Sequence, residues 1–177
     1  MKLVNKKTSS ISFRIDEEYE KVLRQIAEEN KTSLNTLANQ IFGNYVEFEI
    51  YAKKFGTLRM STDTFRRVLA TMDDKNIMEI ATRCGSQEAK EFILFKWKEI
   101  NLETVTDFIK KYFDLCGYGR CNLEETEGRI IFSVHHDLQK KGTMFLKHFF
   151  ESLIQSTLDR ECKTTITNDT ITIDFQT

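Results

Sequence analysis

Proline is absent from this chain of 177 residues, although proteins usually contain roughly 5% of it. Because proline is the strongest helix breaker, its absence favours long helices. The sequence also has no apolar stretch of the roughly 18 to 20 residues that a membrane-spanning helix needs. We therefore expect a protein with no membrane partner.

Signals of secretion and catalysis are missing as well. The N-terminal residues MKLVNKKTSSISF contain no apolar core and no small-residue cleavage site of a secretory signal, so we expect a cytoplasmic location. The chain has no glycine-rich phosphate loop, no hydrolase-like order of Ser, His and Asp, and no carboxylate pair in a catalytic context. We expect a protein that is not an enzyme and that needs no cofactor.

Cysteines are few, and in an intracellular chain we expect them to be reduced thiols. Cys116 and Cys121 are spaced as C-x4-C and the adjacent His135 and His136 follow, which leaves a zinc site open as an alternative. Adjacent histidines on a strand point to opposite faces, so at most one of them joins a given site. The sequence therefore predicts no metal site. The remaining cysteines and histidine are Cys84, Cys162 and His148.

What the chain does contain is apolar and locally basic. Hydrophobic residues make up 40% of it, including 14 Phe, which is ample for a core. The net charge of −1 gives no overall attraction for nucleic acid, yet residues 1–15 carry no acidic side chain. A phosphate backbone responds to local charge. The basic residues of this stretch are Lys2, Lys6, Lys7 and Arg14.

Polar and apolar side chains alternate from residue 10 to residue 15, which predicts a strand with one buried face. A single strand leaves its backbone donors and acceptors unpaired. Because no second strand lies nearby in the sequence, we expect the same strand of a second chain to pair with it in an antiparallel homodimer. The buried set is Ile11, Phe13 and Ile15, and the outward set is Ser10, Ser12 and Arg14.

Two amphipathic helices are predicted after this strand. Asp16 is the expected N-cap of the first helix, whose acidic first turn suits the positive end of a helix dipole. Asn30 is expected to end that helix in the left-handed conformation. Ser33 or Thr32 can cap the second helix, whose apolar stripe continues toward Gly56.

The segment ISFRIDEEYEKVLRQIAEENKTSLNTLANQIFGNYV resembles the ribbon-helix-helix DNA-binding family, over residues 8–50. The resemblance implies an intertwined dimer with the apolar strand residues in its core and an antiparallel β-ribbon in the major groove of DNA. Family members often have glycine in the turn between the helices, where this chain has NKTS. The implied base contacts are Ser10, Ser12 and Arg14, and the implied phosphate contacts are Thr32, Ser33 and Leu34.

The chemistry of these residues supports the implied contacts. Arg14 can bond both O6 and N7 of guanine, which gives roughly 1 to 3 kcal/mol of discrimination, whereas a serine hydroxyl discriminates weakly. The free amides at the start of the second helix form an anion site together with Lys31. Lys6 and Lys7 precede the strand and can reach further phosphates.

Residues 61–116 are predicted to be helical, beginning at an N-cap on Ser61 and broken near Asp73, at Cys84-Gly85-Ser86 and at Asn101. Ser86 is the expected N-cap after the second of these breaks.

The last 60 residues predict two hairpins with a helix between them. Glycine at Glu127-Gly128 and polar residues at Asn168-Asp169 mark the hairpin turns, and the helix runs from about Lys141 to Arg160. The aromatic stripe of that helix, with Phe145 and Phe149, favours a core over the alternative of an effector pocket. The order is a ββαββ unit.

The predicted fold class is therefore α+β, with a ribbon-helix-helix unit in residues 1–56 and an α+β domain in residues 57–177 for association or effector sensing. We expect a sequence-specific transcription regulator that binds double-stranded DNA as a homodimer; higher oligomers and a small-molecule effector remain open. The alternative is an assembly or ligand-sensing protein that uses the ribbon only for dimerisation. The part from Ser61 onward, with HHDLQKKGTMFLKHFF, resembles the C-terminal part of uncharacterised archaeal proteins, which implies no established activity.

Overall fold

The computed structural model describes residues 8–117, 119–126 and 128–177. The chain forms two compact units, Met1–Val46 and Glu47–Thr177. The first unit contains helices α1 (Glu17–Glu29) and α2 (Leu34–Asn44). The division of the chain into functional domains at residue 56 stays a prediction.

The predicted ribbon-helix-helix start is wrong, because the described residues of the first unit, 8–46, include no strand. Residues 8–16 precede α1 without helix or strand. Alternating side chains specify only which residues share a face, whereas a strand exists through its ladder of hydrogen bonds to a neighbour. No described segment of the chain supplies that ladder to residues 8–16. The sequence pattern therefore locates the two helices but not a ribbon.

Both helices of the first unit begin at the predicted caps. The Asp16 carboxylate accepts a hydrogen bond of 2.9 Å from the amide of Glu18. The Ser33 hydroxyl accepts one of 3.0 Å from the amide of Thr36. Each bond satisfies an amide that has no partner inside its helix.

The turn between α1 and α2 is a Schellman motif. The amide of Thr32 donates to the carbonyl of Ala27 at 2.9 Å, and the amide of Lys31 donates to that of Glu28 at 3.0 Å. Lys31 takes the left-handed conformation, with φ +51°, while Asn30 has φ −84°. The expectation that Asn30 is the left-handed residue is therefore wrong by one position.

The second unit contains six helices, one complete π-helical turn and one sheet among its described residues, and a further π-helical turn spans the boundary between the two units. A first π-helical turn, Tyr45–Glu49, begins at the end of the first unit, and a second, Cys84–Glu88, lies between α5 and α6. The helices are α3 (Ile50–Phe55), α4 (Thr62–Thr71), α5 (Asp74–Arg83), α6 (Ala89–Trp97), α7 (Leu102–Cys116) and α8 (Gln139–Leu158).

The sheet contains two antiparallel hairpins with α8 between them, in the order that the sequence predicts. Its strands are β1 (Gly119–Thr126), β2 (Arg129–His136), β3 (Cys162–Thr167) and β4 (Thr170–Gln176). They are ordered β1-β2-β4-β3. Of the predicted first turn, Glu127 lies outside the described residues and Gly128 has φ +77°.

One face of the sheet packs on α8 to form the core. Phe132 of β2 and Phe150 of α8 are fully buried, with ring centroids 4.8 Å apart. On β2 every second residue from Ile130 to His136 is buried, which is the period of a half-buried strand.

The predicted break at Cys84-Gly85-Ser86 is wrong. The chain stays helical there through the π-helical turn Cys84–Glu88. The Ser86 hydroxyl donates to the carbonyl of Thr82 at 2.7 Å, so it bonds back into the helix instead of capping a new one. The predicted cap at Ser61 is present, and the helical segment is interrupted near Asp73 and at Asn101 as predicted, where these two residues are the N-caps of α5 and α7.

Candidate functional site

The first unit exposes a large set of apolar side chains. Ile11 is 78% exposed, although a side chain of this kind is usually buried. Among the described residues of this unit, the buried apolar side chains are Ala27 and Leu37. A contiguous apolar patch on a protein surface usually marks an interaction site. Tyr19 is exposed as well, and the other eight exposed large apolar side chains among the described residues of this unit, called the apolar surface below, are Ile11, Phe13, Ile15, Val22, Ile41, Phe42, Tyr45 and Val46.

The predicted dimer-core and base-contact residues alternate along residues 10–15, and all of them are exposed. The structure therefore places the predicted base contacts in water, where a ligand can reach them. Within a single chain the predicted dimer core is exposed too. Lys6 and Lys7 lie outside the described residues. The predicted base contacts are Ser10, Ser12 and Arg14, and the predicted dimer core is Ile11, Phe13 and Ile15.

The predicted phosphate contacts meet at the start of α2. Lys31 and Ser33 are exposed, and Thr32 and Leu34 are half-buried. The first turn of α2 has no acidic residue, so the positive end of its dipole is not neutralised by a side chain of that turn.

Two cations of the first unit have no carboxylate partner among the described residues, and two others do. Lys21 pairs with Glu17 at 2.9 Å and Arg24 pairs with Glu20 at 2.6 Å on α1. The two cations without an ion pair in the described part of the chain are Arg14 and Lys31.

The described cysteines and histidines of the second unit form no metal-binding cluster. Within the described residues, no group of three His, Cys, Asp or Glu side chains could hold a metal ion. His135 is exposed, with Nδ1 3.1 Å from the Thr170 hydroxyl, and His136 is buried. The two adjacent histidines therefore face opposite sides of β2, as expected. The Cys116 side chain lies outside the described part of the structure.

A cavity of about 380 Å³ lies in the second unit. Phe145 and Phe149 of α8 line it, so part of the aromatic stripe faces a cavity as well as the core. Sequence reasoning missed Cys84 and Glu88, which line the same cavity from the π-helical turn. No local signal could have found them, because only the packing of α8 against this turn brings the two walls together.

No protein-family model matches this chain, and no curated protein sequence matches it. Neither comparison bears on the resemblance of residues 8–50 to the ribbon-helix-helix family. Across the described residues, no helix has both the length and the apolar character needed to cross a membrane.

Proposed function

We propose that this protein is a homodimeric, sequence-specific DNA-binding protein of the transcription-regulator class that acts in the cytoplasm. The observation that carries the proposal is the alternation of exposed apolar and exposed polar side chains in residues 10–15. We infer that a second chain covers the apolar set and that the polar set, which includes Arg14, stays exposed in the dimer. The proposal requires no strand in this segment and no catalytic step.

The apolar surface supports self-association on energetic grounds. Burying an Ile or Phe that is about half exposed contributes about 1 kcal/mol, from the 1.5 to 3 kcal/mol of full burial. A two-fold dimer whose interface covers all eight side chains of the apolar surface buries each of them twice. Their sum is comparable with the upper part of the association cost of roughly 4 to 15 kcal/mol. A second copy of the chain is therefore a sufficient partner.

The exposed cations support DNA as the ligand of the dimer. Arg14 has the fork of donors that matches guanine O6 and N7 in the major groove. Lys31 and the acid-free start of α2 suit a backbone phosphate. Because a two-fold dimer presents each contact twice, the preferred DNA site should be an inverted repeat.

A second candidate is an assembly protein that dimerises through the same surface and does not bind DNA. The first turn of α1 favours it, because Glu17 and Glu18 are exposed within four residues of Arg14. These carboxylates repel phosphate at short range. DNA binding therefore requires that they face away from the duplex.

Salt dependence of binding separates the two candidates. The purified full chain is used to select duplexes from a random-core DNA library, and affinity for the selected duplex is measured by fluorescence anisotropy. A dimer in which each protomer contacts phosphates through Lys6, Lys7 and Lys31 makes six cationic contacts, so affinity should fall by about a thousandfold or more between about 50 and 200 mM salt. An absence of selected sequences, with a dimer still present in sedimentation, overturns the proposal in favour of the assembly protein.

Two variants test the assigned role of Arg14. Arg14→Ala should lower the preference for selected over random duplex by about tenfold or more, from the roughly 1 to 3 kcal/mol of a guanine contact. Arg24→Ala is the matched control, because Arg24 is also exposed in the first unit but is paired with Glu20. Equal effects of the two substitutions would contradict the role of Arg14.

A further inference from the structure

The cavity of the second unit is walled mainly by aromatic rings. Its volume of about 380 Å³ lies within the roughly 300 to 1,000 Å³ typical of small-molecule sites. Seven of its lining residues are Phe and one is Tyr. The cavity therefore offers ring faces and edges on several sides.

The rings hold one another in place around the cavity. Tyr112 stacks on Phe149 with centroids 5.8 Å apart and planes at 17°, and Phe145 stacks on Phe149 at 6.2 Å and 13°. Phe55 and Phe92, which also line the cavity, meet edge to face with centroids 5.2 Å apart. Ring faces carry partial negative charge and attract organic cations.

The charge of the lining has one sign. Among the described lining residues, Glu88 is the only carboxylate, and Lys, Arg and His are not represented. Glu88 is exposed, so water reaches the residue that supplies this charge. The pKa of the Cys84 thiol is raised to about 11, mainly by burial and secondly by the neighbouring Glu88 carboxylate. The Cys84 thiol is therefore neutral at neutral pH and adds no charge to the lining.

We propose that this cavity binds a small organic cation with an aromatic or aliphatic body, the body lying among the Phe rings and the cationic head lying toward Glu88. Aromatic rings together with one carboxylate, and with no cation among the described lining residues, match this class, because rings and carboxylate both attract positive charge. A neutral apolar molecule would be stabilised only by packing against the rings, and an anion would be repelled by the Glu88 carboxylate. The site lies within the second unit and is independent of DNA binding.

Paired probes of opposite charge test the ligand class on the full chain. Benzyltrimethylammonium is the cationic probe, and phenylmethanesulfonate is an anion with a similar ring and a tetrahedral head. Binding is measured by isothermal titration calorimetry. Trp97, the single tryptophan of the chain, gives a second readout, because its ring centroid lies 6.5 Å from that of Phe92 in the cavity wall.

The cation should bind about tenfold or more tightly than the anion, and Glu88→Gln should weaken binding of the cation by about tenfold, from the loss of one partly screened charge. Phe55→Leu should also weaken binding of the cation, because it removes an aromatic ring from the cavity lining. Glu91→Gln is the matched control, because Glu91 is an exposed carboxylate on α6 that does not line the cavity. The affinity of the Glu91→Gln variant for the cation should equal that of the wild-type protein.

Equal binding of the two ions, tighter binding of the anion, or no binding of either ion would overturn the proposal. An equal effect of Glu88→Gln and Glu91→Gln would also overturn it, because binding would then follow the overall charge. Circular dichroism of each variant shows that it is folded, and both Glu positions are exposed, so neither change removes core packing.

Discussion

Phe13 and Phe42 pack edge to face, with ring centroids 5.7 Å apart and planes at 76°. The contact joins the segment before α1 to α2 within the first unit. Phe13 nevertheless remains 57% exposed and Phe42 50% exposed. The pair is thus a preformed part of the apolar surface, and about half of its surface is left for a partner to cover.

Phe13→Ser should therefore weaken self-association much more than it weakens the folded chain. Because Phe13 is about half exposed before association, each protomer loses about 1 kcal/mol of Phe burial at the interface, so the dimer dissociation constant should rise by about thirtyfold. Sedimentation equilibrium measures that constant. Ile166→Ser is the control, because Ile166 is 48% exposed but lies on β3 of the second unit. A dimer that tolerates Phe13→Ser would show that the apolar surface is not the interface.

Lys31 occupies a backbone conformation that glycine adopts more easily. Its φ of +51° costs a non-glycine residue about 1 kcal/mol or more. Lys31→Gly should therefore raise the free energy of unfolding by up to about 1 kcal/mol, as the Schellman motif is kept and the strain is removed. Thermal unfolding of the isolated protein measures this change.

The same substitution removes a proposed phosphate contact, so it should stabilise the protein and weaken its DNA binding. Lys31→Asn is the matched variant, since Asn tolerates the left-handed region better than Lys but carries no charge. Both variants should lower DNA affinity alike. If Lys31→Gly is more stable but binds DNA with unchanged affinity, Lys31 is not part of the DNA interface.

The elements that could be predicted from the sequence are those fixed by hydrogen bonds within four residues. Asp16 and Ser33 cap α1 and α2 through the amides of Glu18 and Thr36. The hairpins are similarly local, because each turn lies between strands that pair with each other. In such cases the sequence contains both partners of the interaction side by side.

The features that could not be predicted depend on contacts between residues distant in sequence, or on a displacement of one residue along the chain. Residues 8–16 alternate like a strand, but the alternation does not provide a neighbouring ladder. The left-handed position falls on Lys31 instead of Asn30 because the last turn of α1 extends to Glu29. The cavity could not be predicted because Glu88 and Phe149 meet only after α8 has packed on the π-helical turn.

Gly85 allows this close packing. An added Cβ would overlap the backbone oxygen of Phe149 and the hydroxyl of Ser152. Gly85→Ala should lower the free energy of unfolding by about 3 kcal/mol, the upper part of the range for overpacking, as measured by urea unfolding. Ser86→Ala, at the next position, should cost about 1 kcal/mol or less through one partly exposed hydrogen bond.

A double variant identifies which overlap matters. Ser152→Gly in the background of Gly85→Ala removes the hydroxyl but leaves the carbonyl of Phe149, which is backbone. Stability should therefore stay low. Recovery of the wild-type value in the double variant would mean that the backbones have room to separate and that Gly85 is not required for the approach of α8.

His136 is held as a neutral ring between β2 and α8. Its Nδ1 accepts a hydrogen bond of 3.2 Å from the amide of Leu138, so the proton lies on Nε2, which is 3.3 Å from the Thr143 hydroxyl. The Thr143 hydroxyl in turn donates to the carbonyl of Gln139 at 3.1 Å. A second ring proton would point at the Leu138 N–H, so protonation breaks the arrangement.

Acidification should therefore destabilise the protein through His136. Burial lowers the pKa of His136 in the folded chain below its ordinary value of 6.5. As the pH falls below 6.5, the unfolded chain binds a proton at this ring before the folded chain does, and the free energy of unfolding decreases by up to about 1.4 kcal/mol per pH unit. Above that pH the contribution is constant. Urea unfolding between pH 7.5 and 5 measures the slope, and His136→Gln should reduce it while His135→Gln, at the exposed neighbour, should not. A slope that survives His136→Gln would assign the acid sensitivity to other groups.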